Sequence, residues 1–73
     1  MAKFEAKTEV TGVVGLIERK VGDRIESGDP VLFIESMKMQ IPVIVEEAGT
    51  LRQITVATGD AVSEGQVVAI LES

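Results

Sequence analysis

The chain has 73 residues, of which 45% are hydrophobic, with two Phe, no Tyr or Trp, no Cys and no His. A chain of this length buries only about 60% of its unfolded surface, so we expect one small domain, residues 1–73, with an aliphatic core and no large enclosed active site. The absence of Cys and His excludes disulfides, thiolate nucleophiles, the usual zinc sites and the commonest general base. A net charge of −5 with scattered basic residues argues against a nucleic-acid partner.

The first residues, Met1–Glu5, contain no apolar segment of the length that a signal peptide needs. No run in the chain approaches the roughly 20 apolar residues of a membrane-spanning helix. We therefore expect a cytoplasmic protein without a membrane partner, and Met1 favours a complete stand-alone chain.

Short runs rich in Val, Ile and Leu recur along the chain, among them Val31–Ile34, Ile41–Val45 and Val67–Leu71. They are rich in β-branched residues and bounded by Gly, Asp, Pro or Ser, which predicts β-strands separated by turns. No window sustains a helical period. The sequence therefore predicts an all-β fold.

An internal repeat with an offset of 37 positions is the most informative feature of the sequence. The segment Thr11–Ser36 aligns without a gap on Ala48–Ser73, and Phe4–Val10 aligns on Ile41–Glu47. Within Thr11–Ser36 eight positions keep their residue type: Gly12, Ile17, Gly22, Asp23, Gly28, Val31, Glu35 and Ser36 return as Gly49, Ile54, Gly59, Asp60, Gly65, Val68, Glu72 and Ser73. Two copies, about 4–36 and 41–73, each with about four short strands, would share a core in a two-fold sandwich or flattened β-barrel.

The stretch Ile34–Ile41, with the sequence IESMKMQI, lies at the junction of the two copies. The strands on either side are nearly contiguous, which predicts a hairpin with Met37 and Lys38 at its tip. Two-residue hairpin loops favour Asn-Gly, Asp-Gly or Gly-X, and Met-Lys provides none of these. A local rule broken in an otherwise regular sequence points to function. The alternatives are that Met37 and Met39 pack in the core and that Lys38 is an ordinary surface charge.

The segments Gly22–Asp29 and Ile34–Met39, followed by Gly49, Gly59–Asp60 and Gly65–Gln66, resemble the biotinyl/lipoyl attachment domain family over essentially the full chain. The closest resemblance is to small stand-alone bacterial biotin/lipoyl attachment proteins and to the carrier domains of biotin-dependent carboxylases. Ser36 stands where the family most often has Ala.

This resemblance implies a flattened barrel of two four-stranded antiparallel sheets with internal two-fold pseudosymmetry. It implies that Lys38, on an exposed hairpin, is covalently biotinylated, and that Glu35, Met37 and Met39 are recognised by partner enzymes. The chain would be a monomeric carrier of carboxyl groups without catalytic residues or metal ligands. Its partners would be biotin protein ligase, biotin carboxylase and carboxyltransferase.

Two other functions remain open. The first is a lipoyl carrier, for which the resemblance predicts Asp-Lys-Ala-like flanks in place of Met37 and Met39. The second is an unmodified interaction module, which in related barrels usually lacks the central lysine. The presence of Lys38 and its methionine flanks favours biotin over both.

Overall fold

The computed structural model describes residues 2–73 as eight β-strands joined by turns and short loops. The strands are β1 (Lys3–Lys7), β2 (Gly12–Val14), β3 (Arg24–Ile25), β4 (Pro30–Ser36), β5 (Met39–Ile44), β6 (Gly49–Ile54), β7 (Ala61–Val62) and β8 (Val67–Glu72). The apolar runs of the sequence form β4, β5 and β8, because β-branched side chains pack well on a pleated surface.

The strands form two four-stranded sheets, with the orders β1-β8-β6-β3 and β5-β4-β2-β7. Every pairing between neighbouring strands is antiparallel. β5 is an edge strand, which explains how it accommodates Pro42, a residue that cannot donate a ladder hydrogen bond. The predicted fold class is confirmed.

The pseudosymmetry follows the sequence repeat strand for strand. An offset of 37 carries β1, β2, β3 and β4 onto β5, β6, β7 and β8, so each sheet maps onto the other. Equivalent turn glycines share one conformation, since φ is 101° at Gly22 and 96° at Gly59. Equivalent hydrogen bonds recur too: Gly22 N donates to Leu51 O at 2.7 Å, and Gly59 N donates to Val14 O at 2.8 Å.

The core between the sheets is aliphatic, as the composition predicts. Its buried hydrophobic residues are Ala6, Val14, Ile25, Val31, Leu32, Ile34, Val43, Val45, Leu51, Val62, Val68, Ala69 and Leu71. Thr8 is the one buried polar residue in the described part of the chain, and its hydroxyl donates to Val10 O at 2.8 Å. Its repeat equivalent is Val45, which has nearly the same shape, so the hydrogen bond allows a polar residue at a core position.

Strands β2 and β4 approach closely at Gly12. A Cβ atom on Gly12 would overlap the backbone O of Glu35 and would lie 2.8 Å from Cγ2 of Ile34.

Residues 2–73 include no helix with the length and hydropathy needed to cross a membrane.

Candidate functional site

The junction of the two copies is a tight hairpin between β4 and β5. Ser36 pairs with Met39, which leaves Met37 and Lys38 as a two-residue loop. Their φ angles are 53° and 63°. Positive φ at both central positions defines the type I′ turn, whose twist matches that of the flanking strands.

Met37 and Lys38 adopt this turn against their own backbone preference. They are the only non-glycine residues between positions 2 and 73 with positive φ. An L-residue in the left-handed region costs about 1–2 kcal/mol, because its Cβ crowds the following carbonyl oxygen. The rest of the fold therefore imposes this conformation, and strain of this kind concentrates at functional sites.

The side chains of the turn face solvent. Met37 is 91% exposed and Met39 is 62% exposed, and Lys38 is also exposed. Among residues 2–73, no carboxylate lies within 4.0 Å of the Lys38 amine. The alternative in which both methionines pack in the core is therefore wrong. The turn presents a primary amine between two exposed apolar side chains.

Glu35 lies in β4, three residues before Lys38, where it pairs with Val13 of β2 and Gln40 of β5. Its side chain lies over Gly15, because a Cβ on Gly15 would be 3.3 Å from the Cγ of Glu35 and 3.5 Å from its Oε2. The repeat equivalents of Glu35 and Gly15 are Glu72 and Arg52, and there Arg52 Nε donates to Glu72 Oε1 at 2.8 Å. Glu35 has no such cation within the described residues.

The structure thus brings Met37, Lys38 and Met39 together at one tip and places Glu35 on the adjoining strand. Sequence reasoning did not identify Gly15 as the neighbour of Glu35. The repeat alignment contains the signal, since Gly15 stands opposite Arg52 and the first copy therefore lacks the arginine that neutralises its glutamate.

A groove of about 330 Å³ lies between the edge strands β1 and β5 and is lined by Phe4–Lys7, Glu9 and Ile44–Glu47. Lys38 is not among the residues that line it. No group of three or more potential metal ligands occurs within residues 2–73. The turn therefore presents Lys38 at the surface and not in a pocket.

A small two-sheet barrel with an exposed lysine in a tight turn suits the presentation of a covalently attached group. The family described as "Biotin-requiring enzyme" matches residues 3–72. The chain belongs to this biotin/lipoyl attachment family.

Two relatives match nearly end to end. The "Biotin/lipoyl attachment protein" of Bacillus subtilis is 35% identical over 89% of this chain and 89% of its own length. The "Biotinylated protein TB7.3 homolog" of Mycobacterium leprae is 33% identical over 92% of this chain and 94% of its own length.

Similarity also extends to short parts of much larger proteins. The crystal structure of the urea carboxylase of Kluyveromyces lactis matches with a TM-score of 0.92 and 32% identity, covering 99% of this chain and 6% of that one. The succinyltransferase component of the 2-oxoglutarate dehydrogenase complex of Staphylococcus saprophyticus is 30% identical over 90% of this chain and 16% of its own length. The full name of that component includes a dihydrolipoyllysine residue, so relatives named for lipoyl and for biotin both match this chain.

Proposed function

We propose that this protein is a biotin carrier in which Lys38 is the attachment residue. The observation that carries the proposal is the Met37-Lys38 turn, which holds an exposed amine in a backbone conformation that two non-glycine residues rarely share. The residues present suit covalent attachment, since the amine is accessible and no pocket encloses it. The carrier would act in the cytoplasm as a monomer.

Attachment needs one reaction at Lys38, and the ligase supplies the activation. The Lys38 Nζ attacks the carbonyl carbon of biotinyl adenylate in the active site of a biotin protein ligase. An amide C–N bond forms, the C–O bond to AMP breaks and AMP leaves, while the Lys38 ammonium loses two protons in all, one before the attack and one after it. The lysine charge is lost, so the net charge of the chain changes from −5 to −6.

Covalent biotin would supply the chemistry of carboxyl transfer: a biotin carboxylase would add a carboxyl group with ATP and bicarbonate, and a carboxyltransferase would remove it. The chain itself holds the attachment point still and keeps it accessible to both enzymes. A tether of this kind gives an effective concentration in the millimolar range for a short flexible linker. Such a role needs neither His nor Cys, in keeping with the composition.

The attachment residue is tested by intact mass spectrometry after expression with excess biotin and its ligase. The wild type should gain one biotinyl group, and Lys38→Arg should gain none. The matched control replaces the other three lysines, Lys3, Lys7 and Lys20, by Arg and should still gain one group. Label on Lys38→Arg would refute the assignment, and wild type labelled only by a lipoate ligase would make the protein a lipoyl carrier.

The choice of biotin over lipoate rests on the two exposed methionines. A ligase that buries one Met side chain gains roughly 1.5–3 kcal/mol, whereas an unpaired carboxylate in the same apolar site is penalised. Met37→Asp combined with Met39→Ala should therefore lower kcat/KM for biotinylation at least about tenfold. The stability should change little, because Met37 is 91% exposed.

The control for this variant is Val21→Asp, which adds the same charge at a residue that is 59% exposed. Val21 precedes Gly22, whose N donates to Leu51 O in the sheet that does not carry the hairpin. It should be biotinylated at the wild-type rate. Equal rates for the methionine variant and the wild type would show that a ligase does not recognise these side chains, and lipoate would then be as well supported as biotin.

A further inference from the structure

The two sheets have outer faces of different character although their backbones are equivalent. We call the outer face of the sheet that carries the Lys38 turn the hairpin face. Its residues are Val13, Gly15, Leu16, Phe33, Glu35, Gln40, Pro42 and Ala61. The strand pairings place them together: Val13 pairs with Glu35 and Ala61, Glu35 with Gln40, and Phe33 with Pro42. Directly paired residues project their side chains to the same side of a sheet.

Gly15 and Leu16 continue the hairpin face beyond β2. Gly15 N donates to Phe33 O at 2.8 Å, and Phe33 N donates to Leu16 O at 2.9 Å. Leu16 is 49% exposed and Val13 is 43% exposed, while their neighbour Val14 points into the core and is 1% exposed. The hairpin face therefore presents apolar side chains to solvent, with Glu35 as the single charge of the set.

The internal repeat allows the hairpin face to be compared with the equivalent positions of the other sheet. The same positions on the other sheet, which we call the opposite face, are Thr50, Arg52, Gln53, Ile70, Glu72, Lys3, Glu5 and Arg24. The pairings are equivalent, since Thr50 pairs with Glu72 and Arg24, and Ile70 pairs with Glu5 and Gln53. Five of these eight residues are charged, against one on the hairpin face.

The difference between the two outer faces distinguishes residues that the fold requires from residues that it does not require. The core positions are apolar in both copies except Thr8, so burial dictates them. On the outer positions the fold accepts Thr50, Gln53 and Arg24 in one copy, so nothing in the architecture requires Val13, Leu16 and Ala61 in the other. These side chains are contiguous through the strand pairings, and a contiguous exposed apolar patch that the fold does not need is typical of a surface that another protein covers.

The position of the hairpin face beside Lys38 and the area of a typical protein interface indicate which protein covers this face. A specific protein interface covers about 800 Å² on each partner. A loop of two residues cannot supply this area, so an enzyme that receives Lys38 contacts more of the chain. The hairpin face begins beside the turn, because Glu35 and Gln40 lie in the same two strands that the turn joins.

We propose that the hairpin face is the docking surface for the ligase that acylates Lys38, a proposal that rests on the function proposed above. The partner surface would be apolar, with a cation opposite Glu35. A second copy of this chain fits less well. A symmetric dimer would bring the two copies of Glu35 together, and none of the eight residues that define the hairpin face is a cation.

The test exchanges residues between the two faces. The hairpin-face variant is Val13→Thr with Leu16→Gln, which introduces the residues that the opposite face already has at those positions. The control is the reverse exchange, Thr50→Val with Gln53→Leu. Biotinylation is measured with a biotin protein ligase and the carrier as the varied substrate, and thermal unfolding of each variant checks that it is folded.

The hairpin-face variant should raise KM about tenfold with kcat within about twofold, since docking acts on binding and not on the chemical step. The control should leave both parameters within about twofold of wild type. Ala61→Arg, which copies Arg24, should raise KM further by placing charge and bulk on the same face.

Other outcomes would overturn the proposal in distinguishable ways. Wild type that gains no biotin would overturn the proposed function and the docking surface with it. Biotinylated wild type with an unchanged KM for the variants would overturn the docking surface alone. A wild type that sediments as a dimer, with a monomeric hairpin-face variant of unchanged KM, would assign this face to self-association.

Discussion

Glycine at the strained turn should stabilise the protein. Met37 and Lys38 have φ angles of 53° and 63°, which cost an L-residue about 1–2 kcal/mol each. Glycine adopts this region without that cost but loses about 0.5–1 kcal/mol in backbone entropy on folding. Little packing is lost, because Met37 is 91% exposed. Met37→Gly should therefore raise the free energy of unfolding by about 0.5–1 kcal/mol.

In a domain of this size a change of 1 kcal/mol shifts the unfolding midpoint by about 4–8 °C, so Met37→Gly should unfold about 2–8 °C higher. The assay is thermal unfolding together with urea titration. Gln40→Gly is the matched control, because Gln40 is exposed in the same hairpin but lies within β5. There glycine should lower the stability by about 0.5–1 kcal/mol. A shift of the same sign for Met37→Gly and Gln40→Gly would refute the strain argument.

Three further predictions concern the scaffold and are measured by urea unfolding. Gly12→Ala should lower the free energy of unfolding by at least about 2 kcal/mol, because its Cβ would overlap Glu35 O and force β2 away from β4. A decrease below about 1 kcal/mol would contradict this. Gly22→Val and Gly59→Val should each lose more than about 1 kcal/mol, by amounts equal within about 0.5 kcal/mol, since their φ angles are 101° and 96°. Clearly unequal losses would mean that the two turns are not equivalent. Arg52→Ala should cost less than about 1 kcal/mol, because its ion pair with Glu72 is exposed on the arginine side, and a larger loss would show that the pair is structural.

Much of the fold could be predicted because the same order of strand runs and turn residues occurs twice in the sequence. Strand runs and turn residues that recur at one offset indicate a repeated structural unit, and each copy supports the interpretation of the other. The turn at Met37 and Lys38 followed from the same spacing, since two strands with two residues between them form a hairpin. The amine at the tip was therefore located from the sequence without any preference of Met or Lys for that turn.

Other features depend on information that propensities do not contain. Backbone preference argues against positive φ at Met37 and Lys38, and only the pairing of β4 with β5 imposes it. The contact between Glu35 and Gly15 depends on the register of β2 against β4, in which Val13 lies opposite Glu35. A shift of one residue would turn each side chain to the other face of the sheet, so the hairpin face could not be defined before the register was known.

Because the chain contains two copies of one unit, each copy can be compared with the other position by position. At Gly22 and Gly59 the two copies agree in residue type because both positions have positive φ, which favours glycine. Where equivalent outer-face positions differ in side chain, as at Gly15 and Arg52, the shared backbone does not dictate the difference. In the second copy the Arg52 guanidinium pairs with the Glu72 carboxylate. At the equivalent place Gly15 provides no cation, and among residues 2–73 none lies within 4.0 Å of the Glu35 carboxylate, three residues from Lys38. In the proposed complex the ligase would supply that cation. The asymmetry thus lies on the sheet that carries Lys38, where the ligase would dock under the proposal above.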